Sequence, residues 1–516
     1  MRAVSLGHAG MLINSGESRI LCDPWFVPAF FGSWFVFPRN DQLSASLQSE
    51  IESPTHLYIS HIHGDHLDEA FLEKHVSRDV VVLLPDFPGP ELERRLTDLG
   101  FNNFLKTSHG EELQIDSRTK IAIHVETSIT DGPGGDSALV VSDGETRLVN
   151  QNDCRTGDLE ALLKHGPIDL HWLQFSGAIW YPMVYDDDPE TKRQLAKSKV
   201  ESQFARALKY VQTLNARAVV PSAGPPCFLD ESLFHMNVIT GDEISIFPDQ
   251  TKFLERLGDI KRENDILAIP GTVIEISPET ISVTHPENID VEKIFAKKEQ
   301  YLRKYQTDWA NWLVTEKQRW AIGHTDLVST MQAWFEPLMA LAPTLCKAIG
   351  ASCLIKTDDL EILVNFPSGK VDKYSDQPFG FSFTIPRDLL EKVVSQHAVD
   401  WSNSFFLSCR FSAWRSGEFN EYLYNFFKSL SVERMRRTES EAAQRRGVTP
   451  ELSDEIELGD YVMQRKCPHR EADLSIFGEI NGTELTCSLH GWRFDLKDGK
   501  CLNAENRPLR VRRRES

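Results

Sequence analysis

The chain has 516 residues, room for roughly three domains of ~150 residues each, and its 41% apolar and 26% charged residues are those of a globular protein with sizeable cores. A net charge of −20 argues against a broad nucleic-acid surface, and no stretch approaches the ~18 uncharged apolar residues of a membrane span. The nine cysteines are scattered and odd in number, and the N-terminal Met1–Gly10 lacks a basic region followed by an apolar core, so a reducing, cytoplasmic setting without a disulfide framework is expected.

In chain order, the first third alternates short apolar runs with turns: Arg19–Cys22, Leu57–Ser60, Val80–Leu84, Ala138–Val141 and Leu148–Val149 are predicted strands. The spacing of Leu195, Phe204, Leu208 and Val211 predicts a helix over 195–214, and such mixing implies α/β layers. Ile266–Ile269 and Val273–Ile276, around the turn pair Pro270-Gly271, are expected to close this first domain, residues 1–280. Residues 285–430 read as an α+β middle domain, with six of the eleven tryptophans and a hairpin turning at Pro367-Ser368-Gly369. The Arg/Glu/Ala-rich stretch 431–455 reads as a charged linker, and 456–516, with turns at Asn481-Gly482 and Asp498-Gly499, as a small β domain.

Two clusters carry chemistry. Directly after the strand Leu57–Ser60 stands His61-Ile62-His63-Gly64-Asp65-His66. Three imidazoles and a carboxylate on one tight loop can converge on one or two cations, His61 and His63 serving one position and Asp65 and His66 a second. Near the C-terminus, Cys467-Pro468-His469 and Cys487-Ser488-Leu489-His490 supply one cysteine and one histidine from each of two loops. Zinc is one candidate for such a set. Zinc fingers, however, pair cysteine with cysteine, and one of each per loop suits a Rieske [2Fe–2S] centre, two cysteines on one iron and two histidines on the other.

The second loop and its following turn, His490–Phe494 and Asp498–Cys501, resemble Rieske domains over about residues 455–513. Ala472 and Leu489 stand where respiratory Rieske proteins carry an extra cysteine pair, so the domain is similar to the ferredoxin and oxygenase kind. The H-x-H-x-D-H motif, with Gly7–Gly10 and Asp23-Pro24-Trp25, resembles the metallo-β-lactamase fold, an αββα sandwich. That resemblance implies Asp153 as a bridging ligand and His124 as an intermediate one, with His8 and Asp23 as supports; the late histidine expected near Val220–Gly224 is missing, and His235 is a weak substitute.

The two modules together resemble the CMP-N-acetylneuraminate hydroxylases, in permuted order, with Gln174–Gly177, Tyr181–Met183 and Val220–Gly224 as further similar stretches. The resemblance implies a monooxygenase in which the Rieske cluster, fed by a ferredoxin or cytochrome with its reductase, passes electrons to iron in the first domain. The implied substrate is small and polar, on the model of a nucleotide sugar. The alternative is a zinc or manganese hydrolase, of lactonase or phosphodiesterase type, with a Rieske redox sensor.

Overall fold

The structure is a computed structural model and describes residues 1–126, 135–177, 179–287, 289–320, 326–447, 455–468, 472–487, 492–502 and 508–514. The chain forms two compact units, one of residues 1–178 and 196–310, the other of 179–195 and 311–516.

The first unit is built on two sheets. Its strands are β1 (Arg2–Gly7), β2 (Gly10–Ser15), β3 (Ser18–Cys22), β4 (Phe35–Val36), β5 (His56–Tyr58), β6 (Val81–Leu84), β7 (Phe104–Lys106), β8 (Leu113–Gln114), β9 (Lys120–Glu126), β10 (Asp136–Ser142), β11 (Arg147–Asn152), β12 (Leu170–Gln174), β13 (Ala218–Ser222), β14 (Pro226–Cys227), β15 (Val273–Ile276) and β16 (Ile281–Thr284). One sheet runs β16-β15-β1-β2-β3-β5-β6-β7 and the other β13-β12-β11-β10-β9-β8, while β4 and β14 form a separate pair. Alternation along these strands turns one set of side chains between the sheets: Met11, Ile13, Ile20, Tyr58 and Leu83 meet Ile121, Leu139, Leu148, Trp172 and Val220.

The opposite face of the first sheet is covered by helices α1 (Ala45–Glu52), α2 (Glu69–His75) and α3 (Glu91–Asp98), whose Leu47, Ile51, Phe71, Leu72, Leu92 and Leu96 pack on Val4, Leu12, Leu21, Leu57 and Val82. Beyond the second sheet lie α4 (Leu159–Leu163), α5 (Pro189–Leu214) and α6 (Gln250–Asp259), and Phe204 of α5 and Phe253 of α6 meet Phe175 at the end of β12. Helices, sheet, sheet and helices make the expected αββα sandwich. The run Ile266–Ile269, expected as a strand, is not one; Ile266 donates a single backbone bond to Val219, and β15 pairs with β1 to close the sheet.

In the second unit a five-stranded sheet, β17 (Cys353–Lys356), β18 (Glu361–Asn365), β19 (Lys370–Lys373), β20 (Phe381–Thr384) and β21 (Ser412–Arg415), runs in the order β19-β18-β17-β20-β21. The hairpin at Pro367–Gly369 is β18–β19, with Gly369 at φ 66°. The stretch expected as a charged linker begins with the helix Val432–Gly447, and its Arg434, Met435, Thr438 and Ala442 are buried.

The C-terminal part holds two three-stranded sheets: β22 (Glu455–Leu458), β23 (Tyr461–Gln464) and β27 (Val511–Arg513); and β24 (Gly478–Asn481), β25 (Glu484–Cys487) and β26 (Trp492–Asp495). The turn at Asn481-Gly482 joins β24 to β25. Gly499 has φ 75°, and a Cβ there would collide with the carbonyl of Leu509, so this turn requires glycine. Strand β27 carries Arg512, which pairs with Glu455 at 2.6 Å, and Arg514 just beyond it pairs with Glu457 at 3.0 Å.

Candidate metal centre

The histidine loop follows β5, where parallel pairing with β3 and β6 ends. It is a tight turn: the backbone N–H groups of His66 and Leu67 both donate to the carbonyl of His63, at 3.0 and 2.8 Å. Asp68, which follows, caps α2 by accepting from Phe71 at 2.9 Å and also accepts from Phe26 and Val27, so the loop after β3 is fixed to the same place.

Around this loop the structure gathers His61, His63, Asp65, His66 and Asp153. Nitrogens and oxygens of His61, His66 and Asp153 lie within 4.8 Å of one another, as do those of His8, Asp65 and His66. His66 Nε2 stands 3.7 Å from Asp153 Oδ1, and His61 Nε2 2.7 Å from His63 Nδ1. Asp153 follows β11 at the point where its register with β12 shifts.

Carboxylates orient the rings. Asp23 accepts from the Ser60 N–H and hydroxyl at 2.7 Å each, from the Asn152 amide at 2.6 Å and from His66 Nδ1 at 3.1 Å, which leaves His66 Nε2 to face inward. Asp136 plays the same part for His61, 3.3 Å from its Nδ1, and His8 Nε2 contacts Asp65 Oδ2 at 3.0 Å. Asp136 was not singled out in the sequence: it is one aspartate after a glycine-rich loop, remote in sequence from the histidines it serves.

The electrostatics are those of a cation site. Burial would lower His66, but Asp153, Asp23 and Asp65 push it up to about 10. Burial would raise Asp65, but His66 and His8 hold it well below the ordinary carboxylate range. Burial would likewise lower His61, yet Asp136 raises it, whereas Asp153 is raised, by burial first. Four acidic side chains, Asp23, Asp65, Asp136 and Asp153, thus stand around the imidazoles. A metal ion held there would supply the positive charge that balances them. His66 Nε2 and Asp153 Oδ1 are buried without hydrogen-bond partners, which fits ligand atoms for a metal.

Backbone strain marks the same place. His8, Asp23, Asn152 and Ala223, each beyond or at a strand end, have φ of 52°, 40°, 51° and 46°. At the position of the missing late histidine, the Ala223 N–H donates to the His8 carbonyl at 3.0 Å. His235 is exposed on a short turn, Phe234–Met236.

His124 is not brought to this cluster. On β9 it pairs its Nε2 with His165 Nε2 at 2.8 Å, its ring lies 5.5 Å from that of His109, and His165 Nδ1 meets Glu112 at 3.2 Å. The structure thus places His124 with His165 and His109 and not with His61, His66 and Asp153, where it was expected as a ligand.

In the C-terminal domain Cys467 and Cys487 are both buried, and no cysteine of the chain forms a disulfide. The Cys467 N–H donates to the carbonyl of Ala472 at 2.9 Å, closing the first loop, while Cys487 ends β25 between Gly478 and Trp492. Two buried thiols fit the thiolate half of an iron–sulfur cluster. His469 and His490 lie outside the described residues.

Comparison with known proteins decides the family. A model described as Rieske [2Fe-2S] domain matches residues 430–511, and one described as Rv3818-like, SCP2-like domain matches 327–444. A Rieske 2Fe-2S iron-sulfur protein of Mycolicibacterium smegmatis is 41% identical over 525 residues, spanning 99% of this chain and 100% of that protein. The chain belongs to this family of Rieske 2Fe-2S iron-sulfur proteins.

The cytidine monophosphate-N-acetylneuraminic acid hydroxylase of Danio rerio is 27% identical over 233 residues, 42% of this chain and 37% of that protein. The likeness lies in the N-terminal half. Among solved structures, a metallo hydrolase of Ignicoccus hospitalis is 13% identical, covers 55% of this chain and 99% of its own, and has a TM-score of 0.36. This member of the family carries an αββα first domain and a Rieske [2Fe-2S] domain on one chain. Among the described residues no helix is long and apolar enough to cross a membrane.

Proposed function

We propose that this chain is a monooxygenase that hydroxylates a small polar substrate. The observation that carries the reading is the orphaned pair, His66 Nε2 and Asp153 Oδ1, in a carboxylate-rich cluster on the same chain as the Rieske loops. When bound, a [2Fe–2S] cluster at Cys467, His469, Cys487 and His490 and iron at His61, His63, Asp65, His66 and Asp153 would supply one-electron transfer and oxygen chemistry. The chain's own residues prepare the site: Asp23 and Asp136 fix the ring orientations of His66 and His61, His8 holds Asp65, and burial keeps bulk water from these groups. A ferredoxin or cytochrome with its reductase is the proposed electron donor. The hydroxylase relatives support a nucleotide sugar as substrate.

Metal content per chain after anaerobic purification, with EPR of the reduced protein, tests the reading. Iron beyond the cluster's own, a Rieske signal and donor-dependent O₂ uptake are expected. Zinc or manganese in the first domain, with a Rieske signal and no O₂ uptake, overturns the monooxygenase in favour of a hydrolase with a redox sensor.

A further inference from the structure

The parallel strands of the first unit end in polar side chains that the metal centre does not use. Gln174 lies in register with Ser222, and Leu173 with Asn152, so the ends of β11, β12 and β13 are level. The open edge at the carboxyl ends of parallel strands is where α/β sheets seat ligands. Gln174 Nε2, Ser176 Oγ, Ser222 Oγ and Gln203 Oε1 are buried there without hydrogen-bond partners, in residues no more than 4% exposed. They are close together: a Cβ on Gly177 would come 2.5 Å from Gln203 Nε2, and one on Gly224 would collide with Ser176. Leaving such groups unsatisfied is costly, and so many at one place mark a ligand's hydrogen-bonding positions.

Helix α5 adds positive charge. Lys199, Gln203 and Arg206 recur at helical spacing on one face, and Arg155 lies two residues past Asp153. Tyr210 of the same helix donates to the Thr156 carbonyl at 3.0 Å, tying α5 to the loop that carries Asp153 and Arg155. Desolvation, then repulsion from Arg155 and Arg206, pushes the Lys199 ammonium down to about 7. Clustered cations and unpaired hydrogen-bond donors are groups that bind oxyanions.

We propose that Lys199, Arg155 and Arg206, with Gln174, Ser176 and Ser222, form an oxyanion-binding crevice that seats a phosphate or carboxylate of the substrate. That the anion belongs to a substrate rests on the monooxygenase reading; the crevice itself does not. The test is calorimetric titration of the full-length protein with phenyl phosphate, phenylacetate and benzyl alcohol, under nitrogen and without an electron donor. At least one anion binds and the alcohol does not, and the tighter anion identifies the group. Lys199→Met and Arg155→Gln each weaken anion binding by about tenfold or more, with melting temperature and metal content unchanged. Absence of saturable anion binding overturns the proposal, as does binding that survives both substitutions. Anion binding lost in Asp153→Asn but kept in Lys199→Met would place the anion on the metal and also overturn it. Anion binding in a protein that shows no O₂ uptake supports the crevice while removing the monooxygenase.

Discussion

At the scale of single residues, Asp23 bears most on the metal centre. It is fully buried and accepts from Ser60, Asn152 and His66, so it joins three segments that are distant in sequence. Asp23→Asn keeps the volume and loses the charge facing His66. Metal affinity of the first domain is expected to fall about 10–100-fold, as for other carboxylates that orient a metal-bound histidine. Metal per chain after dialysis measures this. His124 gives a contrasting case. Burial first, then His165 and His109, pulls it down to about 4. Its unfolded value is near 6.5, so between these values the unfolded chain binds the extra proton. Stability is therefore full above about pH 6.5 and lost as pH falls toward 4, by on the order of 1–2 kcal/mol after solvent screening. Denaturant titrations at pH 7 and pH 5 should show this loss, and His124→Gln should reduce it while leaving metal content unchanged. Of the candidate ligands, His61, His63, Asp65 and His66 stood out in the sequence because they fall within six residues. Asp136 was not, since only the pairing of β9 with β10 and the turn after β5 bring it to His61.

At the scale of elements, the helix Val432–Gly447 shows how composition hides a packed face. Met435, Thr438, Glu439 and Ala442 fall at helical spacing, but one is small and two are polar, so hydropathy does not register the stripe. The Glu439 carboxylate accepts from the backbone of Thr344 and Leu345 at 3.0 and 2.9 Å, at the start of the helix Pro343–Ile349, whose preceding Ala342 has no side chain to cap it. Glu439→Ala leaves those N–H groups unsatisfied and should cost about 1 kcal/mol. Met435→Ala opens a cavity at a fully buried position and should cost about 2–5 kcal/mol. Both are read from denaturant midpoints, and the larger loss at Met435 would separate packing from capping. The strands were more legible than this helix: β5, β6, β10 and β18 follow apolar runs bounded by turn residues, and the β24–β25 hairpin follows its Asn481-Gly482 turn. The region 266–269 misled because an apolar run alone does not secure a pairing partner.

At the scale of the whole molecule, the αββα domain and the Rieske domain were legible from short ligand motifs, because metal chemistry restricts residue type and spacing. The middle region's match to the SCP2-like description was not, since its helices and strands carry core residues and no such motif. The candidate metal centre of the first domain and the Rieske domain lie in separate compact units, and the core between the two large sheets draws only on residues of the first. Loss of one centre should therefore leave the other intact. Cys467→Ser removes a proposed cluster ligand and should abolish the Rieske EPR signal while metal in the first domain stays at its wild-type level. Asp23→Asn should do the reverse. Under the monooxygenase reading both variants lose donor-dependent O₂ uptake, because electron supply and oxygen chemistry are held on different units of one chain. A Cys467→Ser protein that kept full donor-dependent uptake would mean that electrons reach the first domain without the Rieske cluster.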